Sequence, residues 1–172
     1  MDPIDYWPQI RRVCNHALGS SLHYSMATIN ADGPPHVTPI GSLLLREPGH
    51  AIYFEKFTRH MLENLRHNNK ICVLAVNSGL WFWLKSLFRG RFATPPALRL
   101  HGTVGAPRKA TSEEIALWQR RVRRLRRTKG HALIWRDMCD VRDIHFTKVE
   151  GVHIGPMTRG VWSEFSKAVA TS

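Results

Sequence analysis

The 172-residue chain carries 25 Lys plus Arg against 13 Asp plus Glu, a formal charge of +12, and 43% hydrophobic residues, enough for one sizeable core and a single domain spanning 1–172. That charge draws phosphates, nucleic acid or anionic lipid through its long-range field and names none of them. Three cysteines, Cys14, Cys72 and Cys139, lie far apart without a Cys-x-x-Cys spacing, which argues against a disulfide framework or zinc knuckle and for a reducing cytoplasm; the opening MDPIDYWPQI resembles no export leader, and no stretch approaches the ~18 apolar residues of a spanning helix.

Apolar groups at helical spacing (Ile10, Val13, Ala17) predict a helix over 5–18. LHYSMATIN then alternates as a strand, Asp32-Gly33 signals a hairpin, and HVTPIGSLLLR reads as one returning strand. A turn at Pro48-Gly49 leads to AIYFE, so three consecutive strands are expected to form an antiparallel meander. Pro39 cannot donate a ladder bond and predicts an edge or bulge. TRHMLENLRHN reads as a short helix with Thr58 at its cap, KICVLAVN as a buried strand, and LRLHGTVG as another with a bend at Gly102. TSEE opens a helix expected over 111–127, and VRDIHFTKVEGVHI supplies the last strand. Closely spaced antiparallel strands with a few helices predict a mainly β fold, a small β-barrel with helices packed outside.

No Gly-x-Ser-x-Gly elbow, Walker loop, Gly-x-Gly-x-x-Gly or His-Glu-x-x-His occurs. His60 and His67 fall seven apart on one predicted helix without a Cys or carboxylate at ligand spacing, so no metal site is predicted. An anion site is legible in EKFTRH, where Lys56, Thr58, Arg59 and His60 gather at a predicted helix N-terminus.

The ordered set SMATINADGPPHVTPIGSLLL, AIYFEKFTRHMLENLRHNNKICVLAV and FTKVEGVHIG resembles the flavin-binding split-barrel family that includes pyridoxamine 5'-phosphate oxidase. The resemblance covers roughly 22–77, 98–106 and 142–155. It implies an antiparallel FMN-binding split β-barrel, a homodimer with the cofactor at the subunit interface, and oxidoreductase chemistry on a small molecule. It also implies FMN contacts at His36, Val37, Thr38, Pro39 and Ile40 of the second strand, at Tyr53 and Phe54 of the next, at Lys56, Thr58, Arg59 and His60 around the phosphate, and at Asn64. Relatives that hold a deazaflavin or haem share the barrel. His60 departs from the Ser/Thr-Arg-Lys wording common in the family. The ending MTRGVWSEFSKAVATS lacks the Arg and His with which the oxidase proper grips its substrate, leaving Arg159 as a lone candidate, and no catalytic side chain is assigned.

Two stretches lie outside the resemblance. The insertion at about 78–97 contains LWFWLKSLFRGRF, a basic amphipathic pattern read as a lid or dimer-packing element, with membrane-surface contact through 80–92 as the less favoured reading. In QRRVRRLRRTKG the stripe Ile115, Trp118, Val122, Leu125 predicts a helix packed on the barrel with its arginines in solvent. Nucleic-acid binding, the rival reading of the charge, finds no recognised motif.

Overall fold

The computed structural model describes residues 1–56 and 58–167; Phe57 of the EKFTRH motif and the last five residues of the expected 1–172 domain lie outside them. Seven antiparallel strands form one sheet: β1 (Tyr24–Ile29), β2 (Pro35–Ile40), β3 (Leu43–Leu45), β4 (His50–Phe54), β5 (Lys70–Val76), β6 (Ala97–Lys109) and β7 (Asp140–Gly151), in spatial order β2-β1-β5-β6-β7-β4-β3. Around it lie the helices α1 (Trp7–Ser21), α2 (Arg59–His67), α3 (Leu80–Arg89), α4 (Ser112–Val122), α5 (Lys129–Ile134) and α6 (Val161–Lys167).

The expected three-strand meander is not formed. The stretch 36–46 is two strands, and they occupy opposite edges of the sheet. Only Gly41 and Ser42 separate them, so the end of β2 lies within about 11 Å of the start of β3. A flat sheet of seven strands would hold its edges roughly 29 Å apart, so the sheet must curl until its edges approach, which makes the split barrel. Ser42 fastens the seam by donating its hydroxyl to the Phe54 carbonyl oxygen at 2.8 Å.

Pro35 and Pro39 share one parity on the edge strand β2. A ladder to β1 that bonds through His36, Thr38 and Ile40 therefore loses nothing to either proline. Gly102 marks a register shift between β6 and β7, where a Cβ would run into the His145 carbonyl oxygen. Only glycine permits that approach.

Period-two alternation sorts the strand residues onto two cores. Ala51 and Tyr53 join Met26, Phe146 and the buried face of α1 (Ile10, Val13, Cys14, Ala17) inside the barrel. Ile52 and Phe54 face the other way and pack with Trp118 and Val122 of α4.

The predicted helix over 111–127 starts as expected. Thr111 accepts from the Glu114 N–H at 3.2 Å, and the Glu114 carboxylate accepts from the Thr111 N–H at 2.8 Å, a complete capping box. It stops early, however: α4 ends at Val122, a 3-10 turn follows over Arg123–Leu125, and Leu125 is exposed rather than part of the stripe. The arginines of this stretch are exposed, as expected. Arg121 among them also reaches back to donate to the Leu43 carbonyl oxygen at 2.5 Å.

Candidate functional site

A cavity of about 380 Å³ opens beside the seam. One wall is Thr38, Pro39 and Ile40 of β2 with Gly41 and Ser42 of the link; the floor is Phe54, Lys56 and Thr58, from the end of β4 to the cap of α2. Ile134, Trp135 and Met138 cover it.

Backbone ties on both sides hold the floor. Ser42 bonds the Phe54 carbonyl, and the Glu55 N–H donates to Asp140 O at 2.9 Å. Glu55 in turn accepts from Arg142 Nε at 2.8 Å, with both side chains more than nine-tenths buried, and Arg142 also donates to Gly105 O. This ion pair locks β4, β6 and β7 together one residue from the cavity. Breaking one partner of such a pair leaves an uncompensated buried charge.

Thr58 is the N-cap residue of α2, yet its hydroxyl makes no capping bond. It is 8% exposed, and its Oγ1 has no hydrogen-bond partner among the described residues. A buried hydroxyl is normally satisfied. Here it lies at the positive end of a nine-residue helix, beside Lys56, in the wall of the cavity.

Of the residues taken from the resemblance, the cavity thus brings together Thr38, Pro39, Ile40, Phe54, Lys56 and Thr58. Tyr53 points to the other face of β4 and is fully buried in the barrel interior; burial, reinforced by Glu55 and opposed by Arg142, pushes its phenol pKa up. Asn64 is buried too, donating to Thr28 Oγ1 at 3.0 Å and Asn30 Oδ1 at 2.8 Å, which pins α2 to the β1–β2 hairpin. Arg59 and Val37 are exposed. His36 and His60 stack on each other outside the cavity with ring centroids 5.5 Å apart. Among the described residues no third metal-ligating side chain joins them.

Sequence reading passed over Ile134, Trp135 and Met138. The cover was expected from 78–97, but no residue of that insertion lines the cavity. Trp135 lies over Trp118, with ring centroids 6.3 Å apart and edge to face, and Trp118 stands against Phe54 at 5.6 Å, so an aromatic relay joins cover to floor. Beyond Trp135 a second cavity of about 370 Å³ shares Gly41 and Trp135 with the first. Leu18, Leu22, Trp118, Val122 and Leu125 make it mostly apolar, with Arg121 at its edge. The Arg121 donors not used on Leu43 O have no carboxylate opposite them among the described residues.

Residues 14–153 match the sequence profile described as pyridoxamine 5'-phosphate oxidase. The chain belongs to the pyridoxamine 5'-phosphate oxidase family. No curated protein matches it significantly in sequence. Solved structures of the same fold include an FMN-binding protein from Syntrophomonas wolfei (13% identity, TM-score 0.54, covering 86% of this chain and 92% of that one). HupZ of Group A Streptococcus is similar at 17% identity and TM-score 0.53, over 84% and 98% of the two chains. A candidate pyridoxamine 5'-phosphate oxidase from Listeria innocua matches at 12% identity and TM-score 0.53, over 84% and 96%. At these identities the likenesses establish the split-barrel fold of the pyridoxamine 5'-phosphate oxidase family, with its outer helices. Among the described residues no helix is long and apolar enough to cross a membrane.

Proposed function

We propose that the protein is a flavoprotein oxidoreductase that holds FMN in the cavity between β2, the β4–α2 turn and residues 134–138. The observation that carries this reading is the orphaned Thr58 hydroxyl at the α2 N-terminus. A phosphate dianion there would accept from Thr58 and the first-turn amides and lie beside Lys56. Pro39, Ile40, Phe54 and Trp135 offer apolar walls to a flat ring, and the volume falls in the range of small-molecule sites. In the same fold, the Syntrophomonas wolfei structure is an FMN-binding protein.

When bound, FMN supplies the redox chemistry, and the protein's part is to hold, orient and exclude water. Trp135 and Met138 line the cavity and would keep water from a bound ring. Arg121 and the apolar second cavity would receive a small organic substrate carrying negative charge. A homodimer with the cofactor between subunits, as the resemblance implies, would cover the β2 edge, where Val37 and Pro39 face solvent.

The test is an absorbance spectrum of the purified protein, followed by titration of apoprotein with FMN, read by flavin fluorescence. We expect saturable binding that Thr58→Val weakens by roughly 10- to 100-fold, the cost of one hydrogen bond to a charged group. A Soret band, or tight binding of a deazaflavin with none of FMN, would replace the cofactor; unchanged FMN affinity in the variant would refute the phosphate placement.

A further inference from the structure

Helix α3 turns outward the face that a helix on a globular protein normally buries. Its inner side is already occupied. Ser86 is buried, Trp83 donates its indole N–H to Asn77 O at 2.7 Å, and Phe82 and Trp83 pack on Phe92 at 5.4 and 5.2 Å. The opposite side carries Leu80, Trp81, Leu87 and Phe88, which are 68%, 81%, 58% and 90% exposed, with half-buried Leu84 among them. At 3.6 residues per turn, positions 80, 81, 84, 87 and 88 form one stripe. Scattered surface hydrophobes are ordinary, but a contiguous stripe of this size marks a docking surface.

Charge distinguishes among occupants. Lys85 and Arg89 run along one side of the stripe on the helix, and Arg91 follows the left-handed C-cap Gly90. The insertion lies in a stretch, residues 64–112, that contains no Asp or Glu at all. Arg12 of α1 adds a further cation, since it lines a small cavity with Ala93, Thr94 and Pro95 just past α3. A second copy docked through the same stripe would bring these cations together with no carboxylate from residues 64–112 to offset them. An anionic lipid surface satisfies both features: acyl chains receive the Trp and Phe, and headgroups pair with the flanking cations.

We propose that α3 is a membrane-surface anchor that lays Leu80, Trp81, Leu84, Leu87 and Phe88 into the interface of an anionic bilayer. At ten residues, about 15 Å long, the helix lies in the plane of the interface and does not span it. This surface is independent of the cavity and of what the cavity binds.

The test is flotation of the full chain with vesicles of phosphatidylcholine, with and without phosphatidylserine. Binding is expected on the anionic vesicles, falling as salt is raised. Trp81→Ser and Phe88→Ser should each weaken partition at least about tenfold. The triple Lys85→Gln/Arg89→Gln/Arg91→Gln should weaken it roughly a hundredfold. Thermal unfolding of the serine variants should match the parent, because these side chains bury little. Absence of binding to anionic vesicles, or equal binding to both vesicle types, overturns the proposal. So does a larger assembly in the ultracentrifuge that Trp81→Ser/Phe88→Ser dissociates, which would give the stripe to a second copy.

Discussion

Glu114→Gln isolates one charge that holds α4, and with it Trp118, over the cavity floor. Arg108 donates to the Glu114 carboxylate through both terminal nitrogens, at 2.7 and 2.9 Å, and to Asp143 at 2.6 and 2.7 Å. Above all, these Arg108 hydrogen bonds hold the Glu114 carboxyl at about 2 against its ordinary 4.5; burial opposes them and Thr111 assists. A displacement of roughly 2.5 units corresponds to about 3.4 kcal/mol. Solvent around Arg108, whose side chain is 35% exposed, trims this to about 2–3 kcal/mol. The folded-state value lies below the unfolded one, so this stability is fully present above pH 4.5 and drains away as pH falls toward 2. About half should be gone near pH 3. Glutamine can still close the capping box, so the variant removes the charge and little else. Urea unfolding of parent and variant at neutral pH should show a gap of about 2–3 kcal/mol, halving near pH 3. A gap of constant size across that range would refute the ion-pair reasoning and assign the effect to the cap.

Gly102→Ala should destabilise the fold by roughly 1–3 kcal/mol or more, measured by the same unfolding, since its Cβ meets the rigid backbone of His145 and Phe146 rather than a side chain that can move. Thiol labelling should separate the cysteines: exposed Cys139 reacts in the native protein, whereas burial pushes the Cys14 thiol up to about 12 and should protect it until the chain unfolds. Rapid labelling of Cys14 under native conditions would contradict its place on the buried face of α1.

Local signals in the sequence were legible because their physics is local. The TSEE capping box needs four residues, and the Asp32-Gly33 turn is closed by Gly33 at φ +100 with its N–H on Asn30 O. Gly102 flagged its bend because glycine in a strand has few other uses. The two-edge placement of β2 and β3 was not legible, because HVTPIGSLLLR is continuously strand-like, each half pairs locally, and only the distant β4–β7 pairing carries β3 to the far edge. Glu55 and Arg142 stand 87 residues apart, and nothing near either of them announces the pair. At the site, the resemblance led to β2 and the α2 cap. It did not separate Phe54 from Tyr53, although strand alternation sends them to opposite faces. Trp135 escaped notice because α5 is a single short helix with no stripe to read.

Gly41 and Ser42 also govern how the molecule assembles. The cavity residues 38–42 and Phe54, Lys56 and Thr58 are near neighbours in the chain, yet the β1–β2 and β3–β4 hairpins meet in the sheet only through β5, β6 and β7. Both hairpins can form early from local contacts, while the pairing of β4 with residues 141–145 waits for the end of the chain. The cavity is therefore a product of the completed sheet, and a ligand held there can bind no partly folded form. Such a ligand acts as a global clamp: at a hundred times its dissociation constant it would add about 2.7 kcal/mol to the unfolding free energy of the whole chain. Loss of ligand would correspondingly loosen strands far from the cavity as much as those beside it.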